Sequence, residues 1–379
     1  MTERMGLDAF LEQKGYGWQA MLAEFPCLME LADVKQDLAW HAEGDVLEHT
    51  RRVCEAVVSG REWQSLNRKN RAILYMAALF HDIGKKSCTM PSPSQAGRII
   101  SPGHSIAGMK RFRELCYKEL EERFQVSFAM REEIAWLIRY HGLPLLFMEK
   151  GRPAYDLVRA RESVRLELLY LLGKADVLGR ECSDRDAALD TVEYFKSYAE
   201  ENGCYEERVR FANEYTRSCY FEERVLWPGE SLYDPTGFDV YVMAGLPLSG
   251  KDTYIQSALP DIPEISLDQI REEMGIRPTE PSGPVVAAAR ERAKRYLRTQ
   301  TPFVWNATNL ILDNRSKVCR MCAGYGARVN LVYREAPYRE LLRRNTIRER
   351  SVPVDVINRM IRRLDMVECV EGYRVHYPC

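Results

Sequence analysis

The chain of 379 residues lacks a dominant charge: 54 Lys and Arg stand against 55 Asp and Glu, a net charge of −1. That balance excludes a protein that coats nucleic acid through bulk charge, but not one with a local basic groove. No apolar run approaches the ~20 residues that a membrane-spanning helix needs, and the first residues carry no secretory pattern. Repeats and low-complexity tracts are absent. The 11 Cys, an odd number without a signal peptide, read as reduced thiols, so the expected compartment is the cytoplasm. Cys319 and Cys322 form a lone C-x-x-C with no second pair nearby, which favours two thiols on a helix over a zinc site. Histidine is scarce, with six in all. Between Arg334 and Arg374 lysine is missing altogether, although that stretch holds ten Arg and seven acidic residues.

What is present divides in two. Residues 1–226 read as helices almost throughout, with apolar residues at helical spacing and no convincing β alternation. Residues 227–237, rich in Pro, Gly and Asp, read as a linker. In residues 238–379 short apolar runs alternate with helices. Strands are expected at 238–244, 263–267, 302–306 and 328–333, with a helix at 285–299 among the intervening segments. That alternation implies a parallel sheet covered on both faces. The expected fold class is therefore multi-domain, an all-α N-terminal domain followed by an α/β domain.

Residues 245–251 supply the clearest chemistry. Gly245-x-x-x-x-Gly250-Lys251 follows an apolar run and precedes a helix, the layout of a P-loop that cradles phosphates with backbone amides and a lysine. Gly245, Ser249, Gly250, Lys251, Asp252 and Thr253 are the candidate nucleoside triphosphate contacts. Asp252 stands where a Ser or Thr would normally meet Mg²⁺. A carboxylate beside a triphosphate is repelled unless a cation intervenes, so Asp252 is expected to contact Mg²⁺ directly or through water. Thr253 lies about 100° further round the helix. Downstream, Asp268 is placed at the carboxyl end of a strand, where it can take a proton from an attacking hydroxyl, and Arg271 lies three residues on. The arginines that follow (Arg343, Arg344, Arg348, Arg350, Arg359, Arg362, Arg363) suit bidentate phosphate contacts, with Arg344 and Arg348 one helical turn apart.

Five of the six histidines lie in the first 141 residues. His49, His81, His104 and His141 occur with Asp82 and Asp176 at helix ends or on helical faces. Imidazoles with carboxylates suit divalent Mn, Fe, Co, Ni or Zn. His41 reads as a plain helix-end histidine, with a substrate or outer-shell contact as the alternative. Lys85 is left open between a phosphate contact and a surface lysine.

The order His49, His81-Asp82, His104, His141, Asp176, within Glu43-Gly44-Asp45-Val46-Leu47-Glu48-His49-Thr50, Ala77-Ala78-Leu79-Phe80-His81-Asp82-Ile83-Gly84-Lys85 and Lys174-Ala175-Asp176, resembles the HD superfamily of metal-dependent phosphohydrolases. The resemblance implies that His49, His81, Asp82 and Asp176 hold one metal, and that Asp82 bridges to a second held by His104 and His141. The second half resembles 5′-OH polynucleotide kinases in residues 245–253, Ser266-Leu267-Asp268-Gln269-Ile270-Arg271, Asn306-Ala307-Thr308-Asn309, and Arg344-Asn345-x-x-Arg348 before Val352-Pro353. There it implies Asp268 as general base, Arg271 on the acceptor's 3′-phosphate, and Arg344 and Arg348 as lid contacts to the donor. The tandem is similar to bacterial HD-domain polynucleotide kinases. The expectation is a bifunctional enzyme that uses ATP or another NTP with Mg²⁺ to phosphorylate 5′-OH ends of RNA or DNA. Its HD half would remove 2′,3′-cyclic, 2′- or 3′-phosphates, leaving ends fit for a ligase. The alternative is an HD nucleotide phosphohydrolase fused to a small-molecule kinase.

Overall fold

The computed structural model describes residues 4–149, 151–277, 279–348 and 351–377. The chain divides into two compact units, Met1–Val209 and Arg210–Cys379.

The first unit is helical. Helix α1 (Val46–Ser59) starts where the Asp45 carboxylate accepts the Glu48 amide at 2.9 Å. Val46, His49, Thr50, Val53 and Val57 form its buried stripe. Helix α2 (Arg68–Phe80) buries every residue from Ala72 to Phe80, because neighbouring helices cover it on several sides. A two-residue antiparallel ladder, β1 (Met90–Pro91) with β2 (Ile99–Ile100), interrupts the helices. Helices α3 (His104–Leu115), α4 (Phe128–Tyr140), α5 (Leu166–Gly179) and α6 (Arg185–Glu201) join the bundle, with shorter helices such as Leu7–Gln13 and Pro153–Ser163 packed on it. Among the described residues no helix is long and apolar enough to cross a membrane.

The second unit begins earlier than the turn-rich linker. Helix α7 (Glu214–Phe221), expected with the N-terminal half, belongs to it. Arg217 Nη2 donates to the Cys369 carbonyl at 2.9 Å, and Thr216 Oγ1 accepts the Leu232 amide at 3.0 Å. The expected linker at 227–237 is thus inside this unit, hydrogen-bonded on both sides; Tyr373 donates its hydroxyl hydrogen to Asp234 at 2.7 Å.

The sheet has five parallel strands: β3 (Phe238–Ala244), β4 (Glu264–Ser266), β5 (Phe303–Asn306), β6 (Ala327–Tyr333) and β7 (Arg374–His376). Their order is β4-β5-β3-β6-β7. The central strand β3 pairs Val240 with Phe303 on one side and with Val329 on the other. Between strands run α8 (Lys251–Ala258), α9 (Leu267–Glu273), α10 (Gly283–Arg298) and α11 (Leu312–Ala323), and after β6 come α12 (Tyr338–Thr346) and α13 (Val354–Arg363). This order puts the carboxyl ends of β3, β4 and β5 at one edge of the sheet, where α/β proteins bind their ligands.

Candidate metal centre and nucleotide site

In the first unit, three helix ends and two helix faces converge. Two close approaches bring them together. A Cβ on Gly179, at the end of α5, would lie 2.6 Å from Val53 Cγ2 on α1. That contact sets His49 Nε2 3.1 Å from Asp176 Oδ1. A Cβ on Gly84 would lie 2.1 Å from the His104 carbonyl oxygen and 2.5 Å from the Gly108 nitrogen, so the turn after α2 packs directly on the first turns of α3.

Asp82 is the hub. Its Oδ2 lies 3.3 Å from His81 Nε2 and 3.8 Å from His49 Nε2, and its Oδ1 lies 3.5 Å from His104 Nε2 and 3.9 Å from His141 Nε2. Two ligand sets share it, His49–His81–Asp82 and Asp82–His104–His141, each with its donor atoms within 4.8 Å of one another. The backbone fixes the orientation of three imidazoles. The Nδ1 hydrogens of His81, His104 and His141 go to the carbonyls of Ala78, Ser101 and Ile138, at 2.7, 2.7 and 2.8 Å. A carbonyl only accepts, so each ring turns its Nε2 lone pair toward Asp82.

Charge in the site favours a cation. Burial alone would push the His81 pKa down, yet the Asp82 carboxylate raises it. Burial, then the charges of His104 and His81, push His141 down to about 3, which keeps it neutral. Burial opposes ionisation of Asp82 and Asp176, but Lys85 and His81 hold the first, and Arg180 and His49 the second, well below the usual carboxylate range. Among the described residues His81 Nε2 and Asp82 Oδ1 are buried without a hydrogen-bond partner. Buried donors and acceptors in that state are costly, and nitrogen and oxygen donors aimed at one point fit divalent transition metals.

Glu43 and Arg180 are not among the candidates read from the sequence, whereas His41 and Lys85 are left open there. Glu43 Oε1 lies 2.7 Å from His41 Nδ1 and 2.8 Å from His49 Nδ1, while its Oε2 accepts the Glu181 amide at 2.9 Å. His41 is therefore a buried member of this array, and burial lowers its pKa to about 4. Lys85 is buried as well, with Nζ 2.7 Å from Asp82 Oδ2 and 2.8 Å from Gln36 Oε1. Arg180, one turn beyond Asp176, pairs with it at 2.6 Å.

In the second unit the loop after β3 has the backbone its glycines call for. Gly245 has φ +144°, and a Cβ there would lie 2.2 Å from the Arg334 carbonyl oxygen. Gly250 (φ +89°) caps α8. Lys251 Nζ donates to the carbonyls of Leu246 and Gly245 at 2.7 and 3.1 Å. Burial lowers its pKa to about 8, against the opposing pull of Asp252 and Asp268 and with the help of Arg348. Ser249 is buried, and its hydroxyl has no hydrogen-bond partner among the described residues. Arg344 Nη1 donates to the Leu248 carbonyl at 2.9 Å, so this candidate lid arginine rests on the loop.

Other candidates differ in placement. Asp252 accepts from Asn306 Nδ2 at 2.8 Å, and Asn306 also donates to Glu264 at 2.8 Å. Thr253 is exposed. Asp268 lies exposed in the first turn of α9, which Ser266 caps. Arg271 turns to the following loop, with Nη2 on Ser282 Oγ at 2.6 Å and Nη1 on the Arg277 carbonyl at 3.1 Å. Arg348 falls in a bend beyond the end of α12 at Thr346, so it and Arg344 do not share a helical face. Arg350 lies outside the described residues.

Comparison with known proteins agrees with this division. A family model described as an HD domain matches residues 46–178, and one described as an AAA domain matches residues 240–367. The chain is an HD domain joined to a P-loop kinase-like domain. It is also similar to the bifunctional uridylyltransferase/uridylyl-removing enzymes of Nitrobacter winogradskyi (31% identity over 135 residues) and Ruegeria pomeroyi (34% over 116). Those matches cover 33% and 29% of this chain but only 12% and 11% of the relatives, so they mark a shared segment. All six metal-ligand candidates fall inside the span of the HD match, and the glycine loop, Asp268 and both lid arginines inside that of the kinase-like match.

Proposed function

We propose that the protein heals broken nucleic-acid ends in the cytoplasm. The HD domain removes a 2′,3′-cyclic, 2′- or 3′-phosphate from one end, and the kinase-like domain transfers phosphate from ATP or another NTP to a 5′-OH. The products are the 3′-OH and 5′-phosphate that a ligase joins.

The observation that carries the reading is the double membership of Asp82 in two ligand sets. His49, His81, Asp82 and Asp176 would hold one divalent metal, and Asp82, His104 and His141 a second. Such a pair, when bound, supplies Lewis acidity to phosphate oxygens and lowers the pKa of water. Glu43 and the backbone carbonyls hold the imidazoles in register, and Lys85 neutralises Asp82 or the incoming phosphate. In the kinase-like domain Lys251 and the loop amides bind the donor phosphates. Asp268 accepts the proton of the 5′-hydroxyl. Arg271 leaves Ser282 to hold the acceptor's 3′-phosphate, and Arg344 and Arg348 close on the donor. Asp252 contacts Mg²⁺.

The test is phosphate release from RNA and DNA with 3′-phosphate and 2′,3′-cyclic ends over Mn, Ni, Co, Fe and Zn, together with transfer of label from ATP to a 5′-OH oligonucleotide. Failure of the transfer sinks the end-healing reading. A second reading, an HD nucleotide phosphohydrolase fused to a small-molecule kinase, draws on the engaged guanidinium of Arg271. Phosphorylation of a nucleoside but not of the oligonucleotide would select it.

A further inference from the structure

Segments bonded to the candidate metal centre expose apolar side chains that none of the chemistry above uses. The turn at residues 37–40 spans the gap between Gln36, which accepts from Lys85, and His41, which reaches His49 through Glu43. It presents Leu38, 77% exposed, and Trp40, 46% exposed. The turn is not loose. The Trp40 and His41 amides donate to the Asp37 carbonyl at 3.0 and 2.9 Å. The Asp37 carboxylate accepts the Ile99 amide at 3.1 Å and pairs with Arg98, which clamps the turn to β2. From β2 the chain passes through Ser101, whose carbonyl holds His104, into α3. Met90 and Ile100, cross-strand partners, and Ile106 on the first turn of α3 are exposed too. The His104 side chain is 26% exposed against 2% for Asp82, so solvent reaches the centre beside these residues. Large apolar side chains gathered in one exposed patch mark a binding surface, and the hydrogen bonds that clamp the turn to β2 bring Leu38 and Trp40 toward Ile100.

We propose that these side chains, Trp40 above all, are the platform on which the nucleobase of the terminal nucleotide stacks while its phosphate enters the metal centre. The inference rests on the end-healing reading. The part of the substrate that carries the phosphate must lie outside the buried donors, and the turn beside them exposes the Trp40 indole and Leu38 next to the Asp37–Arg98 pair. Stacking on an aromatic ring tolerates any base but requires the base to be unpaired. The platform therefore selects single-stranded ends over blunt duplex ends and nucleotides over aliphatic phosphate esters.

The test compares Trp40→Ala and Trp40→Phe in the full chain. Its readouts are anisotropy of a fluorescent 3′-phosphate oligonucleotide and the kcat/KM ratio for that oligonucleotide over glycerol phosphate. Trp40→Ala should weaken oligonucleotide binding and lower the ratio about tenfold, and Trp40→Phe should recover most of both. Equal losses on both substrates, or unchanged oligonucleotide binding, overturn the platform. So does a lower oligomeric state in Trp40→Ala than in the unsubstituted protein without loss of binding, which would make these side chains a contact between copies. If the unsubstituted protein releases no phosphate from any nucleic-acid end, the end-healing reading fails and takes this inference with it. Release that Trp40→Ala leaves undiminished removes the platform alone.

Discussion

Gly84 and His104 are packed backbone to backbone, so that a methyl group on Gly84 would sit 2.1 Å from the His104 carbonyl oxygen. Neither atom belongs to a flexible side chain, so the contact cannot relax by a rotamer change. Gly84→Ala should cost the HD domain about 3 kcal/mol and displace His104 from Asp82. Metal content after dialysis and thermal unfolding followed with and without added metal check this. A variant with full metal content and an unchanged transition would show that α3 can shift without disturbing the ligands.

The two chemistries draw on different side chains. Asp82→Asn should abolish phosphate release and leave transfer to a 5′-OH within about twofold, since every Asp82 contact lies in the HD domain. Asp268→Asn should do the reverse, lowering transfer by 10²-fold or more, the size expected for loss of a general base. Loss of both activities from either change would mean that the sites are not independent.

Asp252 accepts a hydrogen bond from Asn306, which in turn donates to Glu264. If Asp252 serves only as a Mg²⁺ contact, Asp252→Ser restores the usual hydroxyl and should keep transfer within about tenfold, with a shift in the Mg²⁺ concentration for half-maximal rate. Abolished transfer at saturating Mg²⁺ would assign the carboxylate a further task.

Lys251 should make the proposed nucleotide binding pH-dependent. Burial lowers its pKa from 10.5 to about 8, so the folded domain binds fewer protons than the unfolded chain between those values. Its contribution to stability therefore rises with pH across that window. Phosphate binding needs the cation, and the affinity changes in the opposite direction. Above pH 8 the Kd for ATP should climb toward tenfold per pH unit, and Lys251→Met should bind weakly with no such slope. Calorimetry between pH 7 and 9.5 measures both.

The candidate metal ligands could be found in the sequence because each sits at a helix end or on a helix face with a recognisable neighbour, and the glycine loop because its spacing is local. The strands at 238–244, 264–266, 303–306 and 327–333 were marked by apolar runs. The edge strand β7 was not, since its three residues, Arg374, Val375 and His376, carry no such run. The boundary between the units was hidden for another reason. Helix α7 looks like its predecessors, and only its bonds to Leu232 and Cys369 assign it to the second unit. Glu43, Gly84 and Gly179 act through contacts between helices, which no spacing rule reports. The helical pairing of Arg344 with Arg348 failed because α12 stops at Thr346, two residues too soon.

The fully buried Arg315 forks onto Glu371 at 2.6 and 2.8 Å and donates to the carbonyls of Asn309, Leu310, Asp365 and Met366. Asn309 in turn donates to the Met243 carbonyl, just before the glycine loop. A chain cut ahead of Glu371 would leave that guanidinium as an uncompensated charge in the interior and loosen the support of a loop more than a hundred residues upstream. Tail trimming, by a protease or by a premature stop, would then disturb the glycine loop without removing one of its residues.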